Sequence, residues 1–281
     1  MAALALASTQ AADPPRYDPA ALEALDAMAP AADGVQDYTM RLVKRELRGK
    51  TLGDEETLDV KWQRPQKIYL HGIDALHKGR EVLFVPGVNK NRIKVHPGSF
   101  PDITLNLDPY GHLAMSESHH PVPEVSLVNL VALIGDNVRR ARAKNFGTIS
   151  VSGHETVFGR PTIVIEAKMP ATGTTPTIAK GQTIWDLAKA TGQDMYVILH
   201  ANRARHWTRP EHPEPGDAVL VPEFYAGRMV VWIDDFLRLP IQIDLYDHEG
   251  TLYEHYEHRH LALNVGLTPA DFDAKNPAYR F

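Results

Sequence analysis

The stretch GRMVVWIDDFLRLPIQIDLYDHEGTLYEHYEHRH, residues 227–260, contains three segments of strand composition joined by two short connections. Residues 229–234, 241–246 and 251–260 are rich in β-branched, aromatic and aliphatic side chains, which favour strands. The connections contain Pro240 and Gly250, residue types that mark turns. The stretch therefore predicts three consecutive antiparallel strands.

The first half of the chain has the same pattern. Tyr38, Met40 and Leu42 fall on one side of a predicted strand, and residues 58–62 repeat the two-residue period after the turn-like GKTLGDEE. These two runs predict a long hairpin. Further strands are predicted at residues 68–70, 82–85, 93–95, 103–107, 149–152 and 162–168.

Two helices accompany these strands. Asp18 is a predicted N-cap with Pro19 at the first helical position, and residues 123–144 carry apolar side chains at helical spacing followed by cations in the last turn. We therefore predict an α+β fold in which an antiparallel curved sheet packs on helices.

Residues 174–224 interrupt the strand pattern with a compact unit that begins TPTIAKGQTIWDLAKATG. A short strand at residues 177–179 precedes a helix capped by Thr183 and closed by Gly192. A second helix capped by Asp194 and a returning strand at residues 218–221 follow. The predicted order is strand, helix, helix, strand, inserted between two strands of the sheet.

This insert resembles a LysM domain in KGQTIWDLAKATG, VILHAN and PGDAVLVP, and it departs from that family in the long RARHWTRPEHPE. The resemblance implies binding of N-acetylglucosamine-containing glycans such as peptidoglycan. Backbone amides from Gly181 to Ile184 and the amide of Asn202 could donate hydrogen bonds to acetamido and hydroxyl groups, and the side chain of Ile184 could contact a sugar face. The glycan-binding candidates are Gly181, Gln182, Thr183, Ile184 and Asn202. The alternative is that Thr183 only caps a helix and Asn202 only stabilises a turn.

The host segments, residues 31–169 and 227–281, resemble an uncharacterised bacterial envelope family related to the LolA/LolB lipoprotein carriers. The resemblance lies in QDYTMRLVKREL, KGREVLFVPG, HLAM, VSLVNLV, the strands of residues 231–257 and FDAKNPAYRF. It implies a half-barrel whose concave apolar side holds acyl chains or a lipidated partner. The predicted domains are residues 12–170 with 227–281, and the inserted LysM residues 174–224.

Composition excludes several classes of protein. The 281-residue chain has a net charge of −5 and no cysteine, so it lacks a basic surface for nucleic acid and a disulfide framework. No apolar run is long enough to span a membrane. Residues 1–11, MAALALASTQA, are typical of a signal-peptide remnant, which places the protein in the periplasm or cell envelope.

The C-terminal histidines suggest a rival function. On a strand, Glu254, His258 and His260 project to one face and could bind zinc for a metal-dependent hydrolase, although a polar outer face explains them equally well. Other histidines occur in predicted loops: His71, His77, His119 and His120. Because motifs for nucleophilic or phosphate chemistry are missing, we predict a non-enzymatic protein without cofactor or metal. A peptidoglycan-bound scaffold or sensor without cargo is the other alternative.

Overall fold

The structure is a computed structural model that describes residues 16–116 and 118–281. The predicted signal-peptide remnant, residues 1–11, lies outside the described residues. The helices are α1 (Pro19–Asp33), α2 (His112–Met115), α3 (Leu127–Lys144), α4 (Ile184–Thr191) and α5 (Met195–Ala201). None of the helices in the described part is long and apolar enough to cross a membrane.

The strands follow the predicted pattern closely. They are β1 (Asp37–Arg48), β2 (Thr51–Leu52), β3 (Glu56–Gln63), β4 (Lys67–Gly72), β5 (Glu81–Phe84), β6 (Ile93–His96), β7 (Leu105–Leu107), β8 (Thr148–Val157), β9 (Arg160–Lys168), β10 (Gly173–Thr174), β11 (Val221–Pro222), β12 (Arg228–Asp234), β13 (Pro240–Tyr246) and β14 (Leu252–Leu263).

Twelve strands of the described chain form one antiparallel, curved and unclosed sheet. Its order is β7-β6-β5-β4-β3-β1-β14-β13-β12-β9-β8, and β2 pairs with the end of β1. The predicted long hairpin is β1 with β3, in which Tyr38 lies opposite Trp62 and Leu42 opposite Leu58. The prediction of an α+β fold with a curved antiparallel sheet is confirmed.

Helix α3 packs Val131, Ile134 and Val138 into the main core. The sequence predicted that this helix starts at residue 123, but it starts at Leu127. The reason is that Ser126 is extended and its hydroxyl accepts a hydrogen bond from the N–H of Asn129 at 3.0 Å, which caps the helix there. By contrast, Asp18 caps α1 as predicted.

Residues 173–222, here called the two-helix unit, contain β10, α4, α5 and β11 in the predicted order. The first strand lies at Gly173–Thr174 rather than at residues 177–179, where Thr177 forms only a single bridge with Ala218. The unit has its own apolar core, which includes Ile184, Ile198 and other buried residues. It is inserted between β9 and β12, which pair directly with each other.

Residues 264–281 cover the outer face of the sheet. The ring of Tyr279 stacks on Tyr69 with centroids 4.1 Å apart, and Asp271 accepts a 2.7 Å hydrogen bond from Lys61. Because neighbouring residues of a strand face opposite sides, these contacts leave the other face of β3–β6 free to line the concave side.

Candidate functional site

A cavity of about 650 Å³ lies between the concave face of the sheet and residues 113–136. Most of its wall is apolar, and several charged side chains, among them Lys44, Glu46 and Glu56, form a polar part of it. Leu113 both lines the cavity and is 64% exposed to solvent, so this side chain connects the cavity to the surface.

The sheet wall of the cavity is built by strand register. Leu70 on β4 lies opposite Val82 on β5, Val82 lies opposite Val95 on β6, and Val95 lies opposite Leu105 on β7. These four side chains line the cavity as one row across four strands. Met40 and Leu42 extend the apolar wall along β1.

The helical wall comes mainly from α3 and the segment before it. Leu130 and Leu133 line the cavity, whereas Val131, Ile134 and Val138 are buried in the main core. The sequence prediction placed Leu130 on the same face as these core residues. The apolar stripe of α3 is wide enough to serve both the core and the cavity.

The polar part of the cavity wall begins at the end of β1. Lys44 Nζ lies 3.3 Å from Glu46 and 3.0 Å from Glu56, and all three side chains are buried. Burial opposes the charge on Lys44, but the two carboxylates outweigh that effect and raise its pKa. Lys44 is therefore a cation that is already neutralised by protein carboxylates.

Glu254 on β14 lies behind this wall and is 0% exposed. Its Oε1 accepts a 2.7 Å hydrogen bond from the hydroxyl of Tyr225 and lies 2.7 Å from Nδ1 of His119. Its Oε2 has no hydrogen bond and lies 3.6 Å from Nε2 of His120. Burial opposes ionisation of Glu254, but His120 and His119 outweigh it, so its pKa is well below the usual range.

His120 joins the host sheet to the two-helix unit. Its Nδ1 lies 3.6 Å from Asp194, the residue that caps α5 by accepting from the N–H groups of Tyr196 and Val197. Burial lowers the pKa of His120, but Glu254 and Asp194 more than compensate and raise it well above the ordinary value. His120 is therefore positively charged at neutral pH.

We call these residues the polar cluster: Lys44, Glu46, Glu56, His119, His120, Asp194 and Glu254. The sequence prediction missed it and treated His119 and His120 as minor loop residues. One signal was present, because the face of β1 that carries Met40 and Leu42 continues through Lys44 and Glu46. Charged residues on the apolar face of a strand indicate a buried polar site.

Four of the predicted glycan-binding residues, Gly181 to Ile184, form one turn of the two-helix unit, whereas Asn202 lies at the end of α5. Gly181 is exposed and has a positive φ of 79°, which favours glycine. The backbone N–H of Gln182 donates to Ala179 O, and both the N–H and the hydroxyl of Thr183 donate to the carboxylate of Asp186. These groups are thus engaged in turn and cap formation.

Two of the predicted contacts do not fit the structure. Ile184 is 0% exposed, so its side chain belongs to the core and does not face a sugar. Its N–H donates to Pro210 O at 2.9 Å, because the long loop that departs from the LysM pattern folds over this turn. Asn202 donates to Ile198 O and Leu220 O and accepts from Leu220 N–H, so its amide stabilises the unit.

The predicted zinc ligands are also separated. Glu254 and His258 are four residues apart on β14, about 13 Å along an extended strand, whereas zinc ligands lie about 2 Å from the metal. His258 Nδ1 lies 2.8 Å from Pro240 O, and burial lowers its pKa to about 4. His260 has a positive φ of 53° and is exposed. In the described residues, no group of three potential ligands could hold a metal ion.

The chain belongs to the family DUF1571, described as proteins of unknown function, which matches residues 35–196 and 189–281. A comparison with curated protein sequences found no match. The predicted LysM domain in residues 174–224 finds no support in these comparisons.

Solved structures with a similar chain path include a lipoprotein, the MucA/MucB complex and a LolA superfamily protein. The Mycobacterium tuberculosis lipoprotein LppX is 14% identical with a TM-score of 0.46, covering 91% of this chain and 100% of that chain. MucB in the MucA/MucB complex of Pseudomonas aeruginosa is 13% identical with a TM-score of 0.43, covering 91% of this chain and 61% of that chain. A LolA superfamily protein from Nitrosomonas europaea is 9% identical with a TM-score of 0.35, covering 90% of this chain and 97% of that chain. Because all three TM-scores are below 0.5, these similarities carry no argument about function.

Proposed function

We propose that this protein is a non-enzymatic component of the bacterial cell envelope that binds a lipid, or the acyl part of a lipoprotein, in its cavity. The observation that carries the proposal is the cavity of about 650 Å³ with apolar walls on both sides. Ligand-binding pockets typically have volumes of roughly 300–1,000 Å³ and bury most of the ligand surface.

The chemistry of the wall favours an aliphatic ligand. Leu70, Val82, Val95 and Leu105 offer a continuous surface without polar groups, so water in contact with it would lack hydrogen-bond partners. An acyl chain would bury its own surface and that of the wall, at about 25 cal/mol for each Å² removed from water. Folded proteins otherwise pack their interiors closely and leave few voids larger than a water molecule.

Filling the cavity tests this proposal. Val95→Phe places a larger side chain into the cavity from the middle of the apolar row, and Lys94→Phe places the same side chain on the opposite face of β6. We expect the neutral fluorescent probe N-phenyl-1-naphthylamine to bind the wild type and Lys94→Phe, and to bind Val95→Phe much more weakly. Native mass spectrometry of gently extracted protein should show a retained lipid. If the wild type neither binds the probe nor retains a lipid, the lipid-binding proposal is wrong, and the alternative of a scaffold or sensor without cargo remains.

We also propose that the two-helix unit binds N-acetylglucosamine-containing glycan and so holds the protein on peptidoglycan. The separate core of the unit and the exposed turn at Gly181 support this second function. Because Ile184 and Asn202 are engaged inside the unit, the contacts would come from exposed groups of the turn and of residues 203–214.

The full chain should be retained on purified sacculi. Loss of retention in Gly181→Trp would place the site at this turn. No retention of the wild type, together with no heat of binding to chitin oligomers, would remove this function.

A further inference from the structure

The polar part of the cavity wall carries an excess of negative charge. Glu46, Glu56, Glu124 and Asp194 line the cavity, and Glu254 is buried directly behind His120. The cations of this region are Lys44, His120 and Arg80, which also lines the cavity and is itself engaged by another group. Five carboxylates therefore face these three cations.

The cations are already engaged by protein groups. Lys44 lies between Glu46 and Glu56, and His120 lies between Glu254 and Asp194. An anionic ligand would have to displace these carboxylates or lie beside them without compensation. Both arrangements are unfavourable in a buried site, because the effective dielectric constant is low and charges interact strongly.

Glu124 is a further carboxylate of this wall, and His120 and the Tyr110 hydroxyl offset the effect of its burial only in part. Among the described residues it forms no ion pair with a lysine or an arginine, and burial together with the charge of Asp194 raises its pKa. The negative charges of Glu124 and Asp194 thus repel each other at the cavity wall. A cation placed beside them would relieve this repulsion.

The Oε2 atom of Glu254 gives an independent observation at the same place. This side chain is completely buried, and Oε2 accepts no hydrogen bond while it faces His120, a residue of the cavity wall. Buried carboxylate oxygens normally have a hydrogen-bond partner. The negative charge of Glu254 is therefore not fully compensated by hydrogen bonds.

We infer that the ligand of the cavity is an amphiphile with an aliphatic chain and a positively charged, amine-type head group, which lies beside Glu124 and Asp194. This inference rests on the proposed lipid-binding function and specifies the ligand class. The aliphatic chain occupies the row from Leu70 to Leu105, and the ammonium group donates hydrogen bonds to the carboxylates. Fatty acids, with a carboxylate head, are disfavoured.

Three ligands with the same chain test the inference. Dodecylamine, dodecanol and dodecanoate, each below its micelle concentration, compete with N-phenyl-1-naphthylamine for the full-length protein at pH 7. We expect dodecylamine to bind roughly tenfold more tightly than dodecanol, as a charge-assisted hydrogen bond in a buried site allows, and dodecanoate to bind most weakly.

The double variant Glu124→Gln/Asp194→Asn should abolish the preference for dodecylamine over dodecanol, because the ammonium group loses both carboxylates. Asn still caps α5, so the substitution keeps the local fold. Asp136→Asn, which removes a carboxylate paired with Arg139 elsewhere on the wall, should keep the preference. Equal or tighter binding of dodecanoate, or a preference that persists in the double variant, would overturn the inference. If none of the three ligands displaces the probe, the lipid site itself is wrong.

Discussion

At the residue scale, the carboxylate of Glu254 is held by three side chains from different parts of the chain, Tyr225, His119 and His120. Glu254→Gln keeps the shape but removes the charge, so the buried, charged imidazole of His120 loses a counter-ion. We expect the free energy of unfolding to fall by about 3 kcal/mol, as is typical when a buried ion pair loses one partner. Urea denaturation measures it.

Glu249→Gln is the matched control, because Glu249 forms an ion pair with Arg203 on an exposed surface. Exposed pairs contribute less than about 1 kcal/mol. If Glu254→Gln is as stable as this control, the polar cluster does not stabilise the fold.

His120 and His258 predict opposite pH dependences of stability. The raised pKa of His120 means that its stabilising contribution is complete below the unfolded pKa of about 6.5 and is lost as pH rises through the higher folded value. His258 has a folded pKa of about 4, so its contribution is present above about 6.5 and is lost as pH falls toward 4.

The variants His120→Gln and His258→Gln separate these effects. His120→Gln should be less stable than the wild type at pH 6, and this difference should become smaller as the pH is raised to 9. For His258→Gln the difference from the wild type should instead become smaller as the pH is lowered from 7 to 4.5. Thermal denaturation across this pH range measures both differences. The same slope for the two variants would show that the charges are assigned incorrectly.

At the element scale, the strands and helix α3 could be predicted because each has one dominant hydrophobic period. The alternation through Tyr38, Met40 and Leu42 was sufficient for β1, and it continued into Lys44 and Glu46. The two-residue hydrophobic period of β1 could not show which residues from other parts of the chain contact Lys44 and Glu46. His119 and His120 reach them from a loop, and long-range packing of a loop leaves no periodic pattern in a sequence.

In the two-helix unit, too, local features could be predicted from the sequence and long-range contacts could not. Its caps at Thr183 and Asp194 and its closing Gly192 were predicted, since capping depends on neighbouring residues alone. The predicted glycan contacts of Ile184 and Asn202 depended on how residues 203–214 fold, and that loop is closed onto the turn by the hydrogen bond from Ile184 to Pro210.

The cap of α3 offers a prediction at this scale. Ser126 both caps the helix and lines the cavity, so the helical wall depends on one hydroxyl. Ser126→Ala should lower the free energy of unfolding by about 1 kcal/mol, and Ser126→Thr should restore most of it. Equal stability of all three proteins in urea would show that the hydrogen bond to Asn129 is not needed.

At the scale of the whole molecule, the two-helix unit is both separate from the host and packed on it. Its own core is distinct, but the ring of Tyr196 stacks on His119 with centroids 3.9 Å apart, and Val197 belongs to the main core. Asp194 also contributes to the cavity wall. The unit therefore contributes directly to the wall of the proposed ligand site.

Excision of residues 173–222 tests how far the host depends on the unit. The cut ends are already adjacent, since the N–H of Glu223 donates to Thr172 O at 2.7 Å and β9 pairs with β12. A two-residue Asn-Gly turn can join such positions. We expect β-type circular dichroism and cooperative melting at a lower temperature, because removing Tyr196 and Val197 uncovers His119 and part of the main core. The preference for dodecylamine over dodecanol should fall as well, because Asp194 is lost. An insoluble product, or one that melts without cooperativity, would show that the unit is an obligatory part of the host core.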